Sequence, residues 1–215
     1  MKKFKGIFTA LITPFLDGKI DFLSLEKLVE DQTKRGVEGF VISGTTGESP
    51  TLLREEKEEI FKFVKRRSPQ NFPLIIGAGS NSTVASIEEA RWAQKQGADA
   101  ILSLVPYYNK PPQRGLVEHF KRVADAIEIP CILYNVPSRT VVGLEIETIL
   151  QLCAHKNIVG IKEASGNIKF AEQIRMRCGK EFILFYGDDG SYDDFMLAGG
   201  DGAISVASHL IPEVF

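Results

Sequence analysis

A lysine inside an apolar run is the first residue of this chain with chemistry to offer: Lys162, in Gly160-Ile161-Lys162-Glu163-Ala164. Alternation along an extended segment puts Lys162 on one face with Gly160 and Ile158, and Val159 and Ile161 on the other. If that face points inward, desolvation disfavours the ammonium and lowers its pKa. The neutral amine can then add to a carbonyl carbon to form a Schiff base. That chemistry suits keto acids; the structural alternative is a strand-end lysine that reaches solvent or pairs with Glu163. Tyr134 lies in a second apolar run, residues 130–136, where its phenol needs a hydrogen-bond partner and serves either the core or proton transfer. Gly44-Thr45-Thr46-Gly47 offers backbone N–H groups and two hydroxyls beside a turn expected to start a helix near Glu55. It is either a nest for a carboxylate or only a tight turn. Arg139, after Pro137, has the fork geometry to hold a carboxylate, or is simply exposed. Tyr107-Tyr108-Asn109-Lys110-Pro111-Pro112 is a stiff aromatic loop suited to a subunit contact. His119, His155 and His209 share no ligand spacing, so they read as structural and imply no metal.

These residues sit at the ends of short runs rich in Ile, Val, Leu and Phe, mostly opened by Gly or Pro and too short for helices. Eight such runs occur, at residues 6–15, 39–43, 72–78, 98–105, 130–136, 157–164, 182–186 and 202–206. Helical spacing fills the gaps: Leu23, Leu25, Leu28 and Val29 before Lys34-Arg35-Gly36, then Ile60, Phe61, Phe63 and Val64 after Glu55-Glu56. It continues through 84–96, 115–127, 144–154, 167–178 and 191–198. Near-continuous apolar strands alternating with helices predict a parallel sheet covered on both faces. Eight repeats point to an α/β fold, a (β/α)8 TIM barrel, rather than an open doubly wound sheet, whose G-x-G-x-x-G turn is replaced here by Thr13-Pro14-Phe15. Catalytic groups of such a barrel lie at the carboxyl ends of its strands, where Ser43-Gly44, Pro106-Tyr107, Asn135, Lys162 and Tyr186-Gly187-Asp188-Asp189 fall. A barrel of this type typically needs ~250 residues. The sequence ends nine residues after Val206. The expectation is therefore one barrel domain over 1–215, truncated at its carboxyl end. It would lack the last barrel helix and any helical extension, with apolar surface uncovered on the first and last strands.

Composition narrows the class of function. With Lys plus Arg at 26 against Asp plus Glu at 28, there is no basic excess for nucleic acid. No apolar run approaches the ~20 residues of a membrane span. The basic start before residue 6 resembles a signal peptide, but Pro14 breaks the run and no small-x-small site follows, so it reads as the approach to a first strand. Three well-separated cysteines, Cys131, Cys153 and Cys178, form no C-x-x-C pair and fit a reducing cytoplasm.

Taken together, Gly44-Thr45-Thr46-Gly47-Glu48-Ser49, Pro106-Tyr107-Tyr108-Asn109, Tyr134-Asn135-Val136-Pro137-Ser138-Arg139-Thr140 and Gly160-Ile161-Lys162-Glu163-Ala164 resemble the dihydrodipicolinate synthase family of pyruvate-dependent class I aldolases. The match is collinear along essentially the whole chain. The resemblance implies that Lys162 forms a Schiff base with pyruvate, whose enamine attacks L-aspartate 4-semialdehyde on the diaminopimelate route to lysine. It implies that Tyr134 relays protons and that Thr45 links it to Tyr108, which in the family crosses from a neighbouring subunit. Thr46, Gly187 and the backbone near Ile204 would hold pyruvate, and Arg139 the carboxylate of the semialdehyde. Neither metal nor organic cofactor is implied, and homotetramers built as dimers of dimers are the family's usual assembly. Ser49, Asn81 and Tyr107 match the lysine-inhibition site of the family. Ala85 stands there in place of a glutamate, and Arg54 and Lys57 in place of histidines, which implies weak or absent feedback. N-acetylneuraminate lyase or a keto-deoxy sugar acid aldolase would share Lys162 and Tyr134. A catalytically silent keto-acid-binding barrel is the alternative of another class.

Overall fold

The computed structural model describes residues 4–215, so the basic start at Met1 to Lys3 lies outside the described residues. The strands are β1 (Gly6–Ala10), β2 (Phe15–Leu16), β3 (Lys19–Ile20), β4 (Gly39–Ile42), β5 (Leu74–Gly77), β6 (Ala100–Leu104), β7 (Cys131–Asn135), β8 (Ile158–Glu163), β9 (Ile183–Tyr186) and β10 (Gly202–Ser205). The helices are α1 (Phe22–Lys34), α2 (Arg54–Arg67), α3 (Thr83–Gln96), α4 (Gln113–Asp125), α5 (Pro137–Thr140), α6 (Ile146–Cys153), α7 (Ile168–Cys178) and α8 (Tyr192–Leu197). Local signals set several boundaries. Asp21, Ser82 and Asn167 cap α1, α3 and α7 through side-chain oxygens that accept backbone N–H groups, and Gly97 closes α3 in the left-handed region.

Eight parallel strands close in the order β1-β10-β9-β8-β7-β6-β5-β4, the (β/α)8 barrel that the alternation predicts. Side chains of alternate residues divide into two cores. Phe8, Val41, Ile75, Ile132, Phe185 and Ile204 fill the interior, where Phe8 meets Phe185 edge-on at 5.3 Å. Ile42, Ile76, Ile101, Leu133, Ile161 and Leu184 face the helices. The interior is thus filled by side chains below and leaves room for polar groups only at the mouth.

Two expectations need correction. The first strand ends at Ala10 rather than at Phe15; β2 and β3 form a separate antiparallel ribbon, turned by Asp17 and Gly18 at φ 49° and 74°. Two successive positive φ angles make the primed turn that matches strand twist, and Asp-Gly is suited to it. The alternation around Lys162 is also out of phase below Gly160. Cys131 pairs with Ile158 but Ile132 with Gly160, so β8 carries a bulge at Val159. Ile158 consequently joins the outer core and Val159 lies against the interior one. Lys162 points inward as expected, on the same face as Gly160 but not Ile158.

After β10 the chain makes two single 3-10 turns, Ala207–His209 and Pro212–Val214, and no α-helix follows it among the described residues. The first and last barrel strands are nevertheless covered, against expectation. Their outward positions include Thr9 and Ser205, both fully buried, and the contacts there are polar. The Thr9 hydroxyl donates to Gln32 Oε1 at 2.7 Å, the Ser208 hydroxyl reaches Thr9 at 3.1 Å, and Gln32 Nε2 donates to the His209 carbonyl at 3.1 Å. Arg35 adds an ion pair to Glu213 at 2.7 Å. Exposed apolar side chains lie beyond the strands instead: Ile12 after β1, Leu197 on α8, and Val206, Leu210, Ile211 and Val214 after β10.

A second polar staple holds the amino ends of β9 and β10. Arg175 Nε donates to the Gly199 carbonyl at 2.7 Å, and its other nitrogens reach the Phe182 carbonyl at 2.8 Å and Asp201 Oδ2 at 2.6 Å. Asp201 Oδ2 also accepts the Leu184 N–H at 3.0 Å. The two charged side chains are only 14% and 10% exposed. Arg175→Ala would remove the guanidinium that ties the Gly199 and Phe182 carbonyls to the Asp201 carboxylate and should lower the free energy of urea unfolding by about 3–5 kcal/mol; a loss under 1 kcal/mol would refute it.

Candidate active site at the carboxyl ends of the strands

Lys162 and Tyr134 are register partners on β8 and β7, so both side chains enter the barrel mouth at one level. Lys162 is 5% exposed, and its Nζ lies 4.5 Å from the centroid of the Tyr134 ring, in cation–π geometry. Burial pulls the lysine pKa down to about 8; Asp189 opposes this by its negative charge, and Arg139 adds to it by its positive one. At 5% exposure the side chain does not reach solvent, against the exposed alternative. Pairing with Glu163 is excluded too, because that carboxylate lies on the other face of β8, bonded to Asn135 Nδ2 at 2.7 Å. The Tyr134 phenol is raised by burial, against the pull of the Arg139 charge and a hydrogen bond with Thr45.

Gly187 forms the wall of the lysine channel. A Cβ built there would stand 2.8 Å from Lys162 Cε and 2.7 Å from the Ala164 Cβ, so the position admits only hydrogen. Asp189, noted in the sequence only as part of a polar strand end, has a definite place. Its Oδ2 accepts the N–H groups of Val206 and Ala207 at 3.0 and 2.8 Å, which pins the end of β10 beside Ile204. Ile204 itself is 1% exposed and belongs to the interior core.

The Gly44–Gly47 segment is a turn: the Glu48 N–H donates to the Thr45 carbonyl at 3.1 Å and the Ser49 N–H to the Gly44 carbonyl at 3.3 Å. It leads into a single 3-10 turn, Ser49–Thr51, and then into α2, which begins at Arg54, beside the expected start near Glu55. Thr45 is exposed and Thr46 half-buried. Arg139 is exposed on the short helix α5, near enough for its charge to act on both Tyr134 and Lys162. Tyr108 is 86% exposed with φ 73°; a single chain does not bring it to Thr45.

A cavity of about 270 Å³ runs from Tyr134 and Thr45 past Tyr107 to Lys57 and Glu89 between α2 and α3. Ser43, a lining residue the motifs left unassigned, has a buried hydroxyl without a hydrogen-bond partner among the described residues. Ser49, Tyr107 and Ala85 also line the cavity, while Arg54 is paired with Glu89 at 2.6 Å and lies over the Trp92 ring. Asn81 is not among the residues lining it; its carbonyl accepts Asn109 Nδ2 at 3.0 Å. Of the histidines, His119 meets Thr83 at 2.9 Å and is pushed down to about 4 by burial, and His155 bonds Asp125 at 2.9 Å. His209 accepts the Ile12 N–H at 3.2 Å. Among the described residues no group of three or more His, Cys, Asp or Glu is placed to hold a metal ion, and no helix is long and apolar enough to cross a membrane.

This arrangement has close counterparts. The profile of the dihydrodipicolinate synthetase family matches residues 3–215. The 4-hydroxy-tetrahydrodipicolinate synthase of Bdellovibrio bacteriovorus is 58% identical over 212 residues, covering 99% of this chain and 72% of that protein. The crystal structure of the Thermotoga maritima dihydrodipicolinate synthase superposes with a TM-score of 0.96 at 38% identity, over 98% of this chain and 73% of the other. That of the chloride-inhibited Acinetobacter baumannii enzyme, complexed with pyruvate, gives 0.95 at 43% identity, over 97% and 72%. A buried amine at the mouth of a closed barrel and a profile match along the described chain agree: this protein belongs to the dihydrodipicolinate synthetase family.

Proposed function

We propose that the chain is a 4-hydroxy-tetrahydrodipicolinate synthase, condensing pyruvate with L-aspartate 4-semialdehyde through a Schiff base on Lys162. The observation that carries this reading is the Lys162 amine, buried in the barrel mouth, held near pKa 8 and stacked on Tyr134. The amine adds to the pyruvate ketone and water leaves, giving an iminium. Loss of a methyl proton then gives an enamine, because the iminium nitrogen takes up the electron pair that the carbanion would otherwise carry. No further electron sink is needed for this step, so the scheme uses no cofactor. The enamine carbon attacks the aldehyde of the second substrate, whose oxygen takes a proton, and the substrate amine displaces Lys162 as the ring closes.

Tyr134 is the proton relay in this scheme. Its raised pKa keeps the phenol protonated at neutral pH, so it needs a partner such as Thr45 to pass protons on. Thr46, Gly187 and the backbone at Ile204 surround the pyruvate carboxylate, Arg139 receives that of the semialdehyde, and Tyr108 completes the relay from a second subunit of a homotetramer. The bond between Thr45 and Tyr134 supports the relay. The exposure of Tyr108 supports its use between chains. Residues 1–215 act as one catalytic domain, and the free thiols suit a cytoplasmic protein. The second substrate supplies the test. Mixing the protein with pyruvate and L-aspartate 4-semialdehyde should produce the heterocycle by mass spectrometry. Cleavage of N-acetylneuraminate instead would assign a sugar-acid lyase, and pyruvate binding without turnover a silent barrel.

Two further outcomes follow. Gly187→Ala should slow Schiff-base formation by about 10²-fold, since the methyl must push the Lys162 side chain aside by an amount on the order of the 1 Å that misaligns reacting atoms. Wild-type trapping kinetics in that variant would remove Gly187 from the site. Titration with L-lysine should leave the condensation rate essentially unchanged. Among the described residues the only carboxylate lining the cavity is Glu89, one oxygen of which is already paired with Arg54, and Lys57 adds a like charge against an incoming ammonium. Strong inhibition would overturn that reading.

A further inference from the structure

The residues that follow Tyr134 and Lys162, Asn135 and Glu163, are paired in the same register, on the opposite face of the sheet. There they meet: Asn135 Nδ2 donates to Glu163 Oε2 at 2.7 Å, in a place where the two residues are 2% and 1% exposed. Every other polar end is also taken. The Leu144 N–H donates to Asn135 Oδ1 at 2.9 Å, so the amide cannot flip without losing both bonds. The Ser165 N–H donates to Glu163 Oε1 at 2.6 Å, and the Ser165 hydroxyl reaches the same carboxylate. Main-chain bonds continue the pattern, from the Ala164 N–H to the Asn135 carbonyl at 2.9 Å and from the Gly187 N–H to the Glu163 carbonyl at 2.8 Å. One carboxylate thus joins the ends of β7 and β8 and the loops that leave them.

A buried carboxylate is an expensive way to fill a space between sheet and helices, where an apolar side chain would pack at less cost. What it supplies is direction. Its three donors come from Asn135 and Ser165, which flank the two strand ends that carry the Tyr134 ring and the Lys162 amine. We propose that Glu163 is a positioning residue for the reaction: through Asn135 and Ser165 it sets the distance and aim of the Lys162 amine relative to Tyr134. The proposal rests on the roles given to those two residues above.

A donor–acceptor swap tests it. In Glu163→Gln the new amide nitrogen must face either Asn135 Nδ2 or the Ser165 N–H, a donor against a donor in both cases. In Asn135→Asp two carboxylates face each other. The double variant Asn135→Asp/Glu163→Gln restores every bond: the glutamine donates to the aspartate and accepts from Ser165, and the aspartate accepts from Leu144. Each single variant should lower kcat for the condensation by about 10²-fold with a far smaller change in KM for pyruvate, and the double should recover to within a few-fold of wild type.

A second readout does not depend on the reaction. The pH midpoint for reductive methylation of Lys162 by formaldehyde and borohydride, followed by peptide mass spectrometry, reports the amine directly. The groups facing that amine are Tyr134, Asp189 and Arg139. Loosening the mouth admits water and should raise the midpoint by roughly one unit in Glu163→Gln. Simple deletion of a negative charge would lower it, so the sign separates positioning from electrostatics. Ser165→Ala, which keeps the N–H donor and removes the hydroxyl with its bonds to Glu163 and to the Asn167 N–H, is the milder variant should a single swap not fold; it should lower kcat by roughly fivefold. Folded single variants with wild-type kcat and midpoint, or a double variant no better than the singles, would overturn the proposal. A wild-type protein that forms no pyruvate adduct would instead sink the functional reading, and the methylation midpoints would still decide the role of Glu163.

Discussion

Lys162→Met should form no borohydride-trapped pyruvate adduct and show no condensation above background, whereas the wild-type chain should carry a single adduct on the peptide containing Lys162. Methionine keeps the length and apolar stem of the side chain but has no nucleophile. In the wild type the rate of trapping should climb with pH up to about 8, as the ammonium loses its proton, and level off above it. The same lysine makes a prediction for stability. Its pKa is near 8 folded against 10.5 unfolded, so the folded state binds fewer protons between those values. Stability of the wild type therefore rises with pH across that window, and the cost of the buried charge is fully present below it. Lys162→Met should be the more stable protein at pH 7, with the advantage fading above about pH 8 and gone beyond the unfolded pKa. Adduct formation that survives the substitution would place the nucleophile elsewhere.

The elements that position this lysine were legible because each barrel strand is a short, largely apolar run bounded by Gly, Pro or a charged turn, and each long helix has a cap or an apolar stripe. The phase of β8 was not. Ile158 and Val159 are both apolar, so nothing in their chemistry marks which one faces the interior, and the bulge shows only in the register with β7. Lys162 still pointed inward because the phase error lies below Gly160. The run over residues 6–15 takes in Phe15 because it extends an apolar pattern, and the ribbon of β2 and β3 goes unread although Asp17-Gly18 holds its turn signal. Covering of β1 and β10 was missed for another reason: the contact is a polar network from Thr9 and Gln32 to Ser208 and His209, and no hydrophobic periodicity reports it. Asp189 and Glu163 belong with these. Each acts through partners distant in sequence, Val206 and Ala207 for one, Asn135 for the other, and such pairings become visible only when the strands stand side by side.

Tyr134→Phe should lower kcat by about 10²–10⁴-fold, the range for loss of a positioned general acid–base group, while leaving the barrel mouth in place. The ring that stacks 4.5 Å from the Lys162 Nζ is retained, so only the hydroxyl and its bond with Thr45 disappear. The lysine should still form its pyruvate adduct, more slowly, because dehydration of the initial addition product needs a proton that the phenol no longer delivers. KM for pyruvate should move far less than kcat, since the hydroxyl contributes mainly where protons transfer. Burial raises the phenol above its ordinary pKa near 10, so it stays protonated through the neutral range and the defect should be nearly independent of pH there. Thr45→Val gives the complementary measurement. A relay works as a unit, so the double variant should be little worse than Tyr134→Phe alone, whereas independent contributions would multiply. An unchanged kcat in Tyr134→Phe would reduce Tyr134 to a core residue whose ring merely covers the lysine. A full adduct rate with lost condensation would confine its proton transfer to the carbon–carbon bond step.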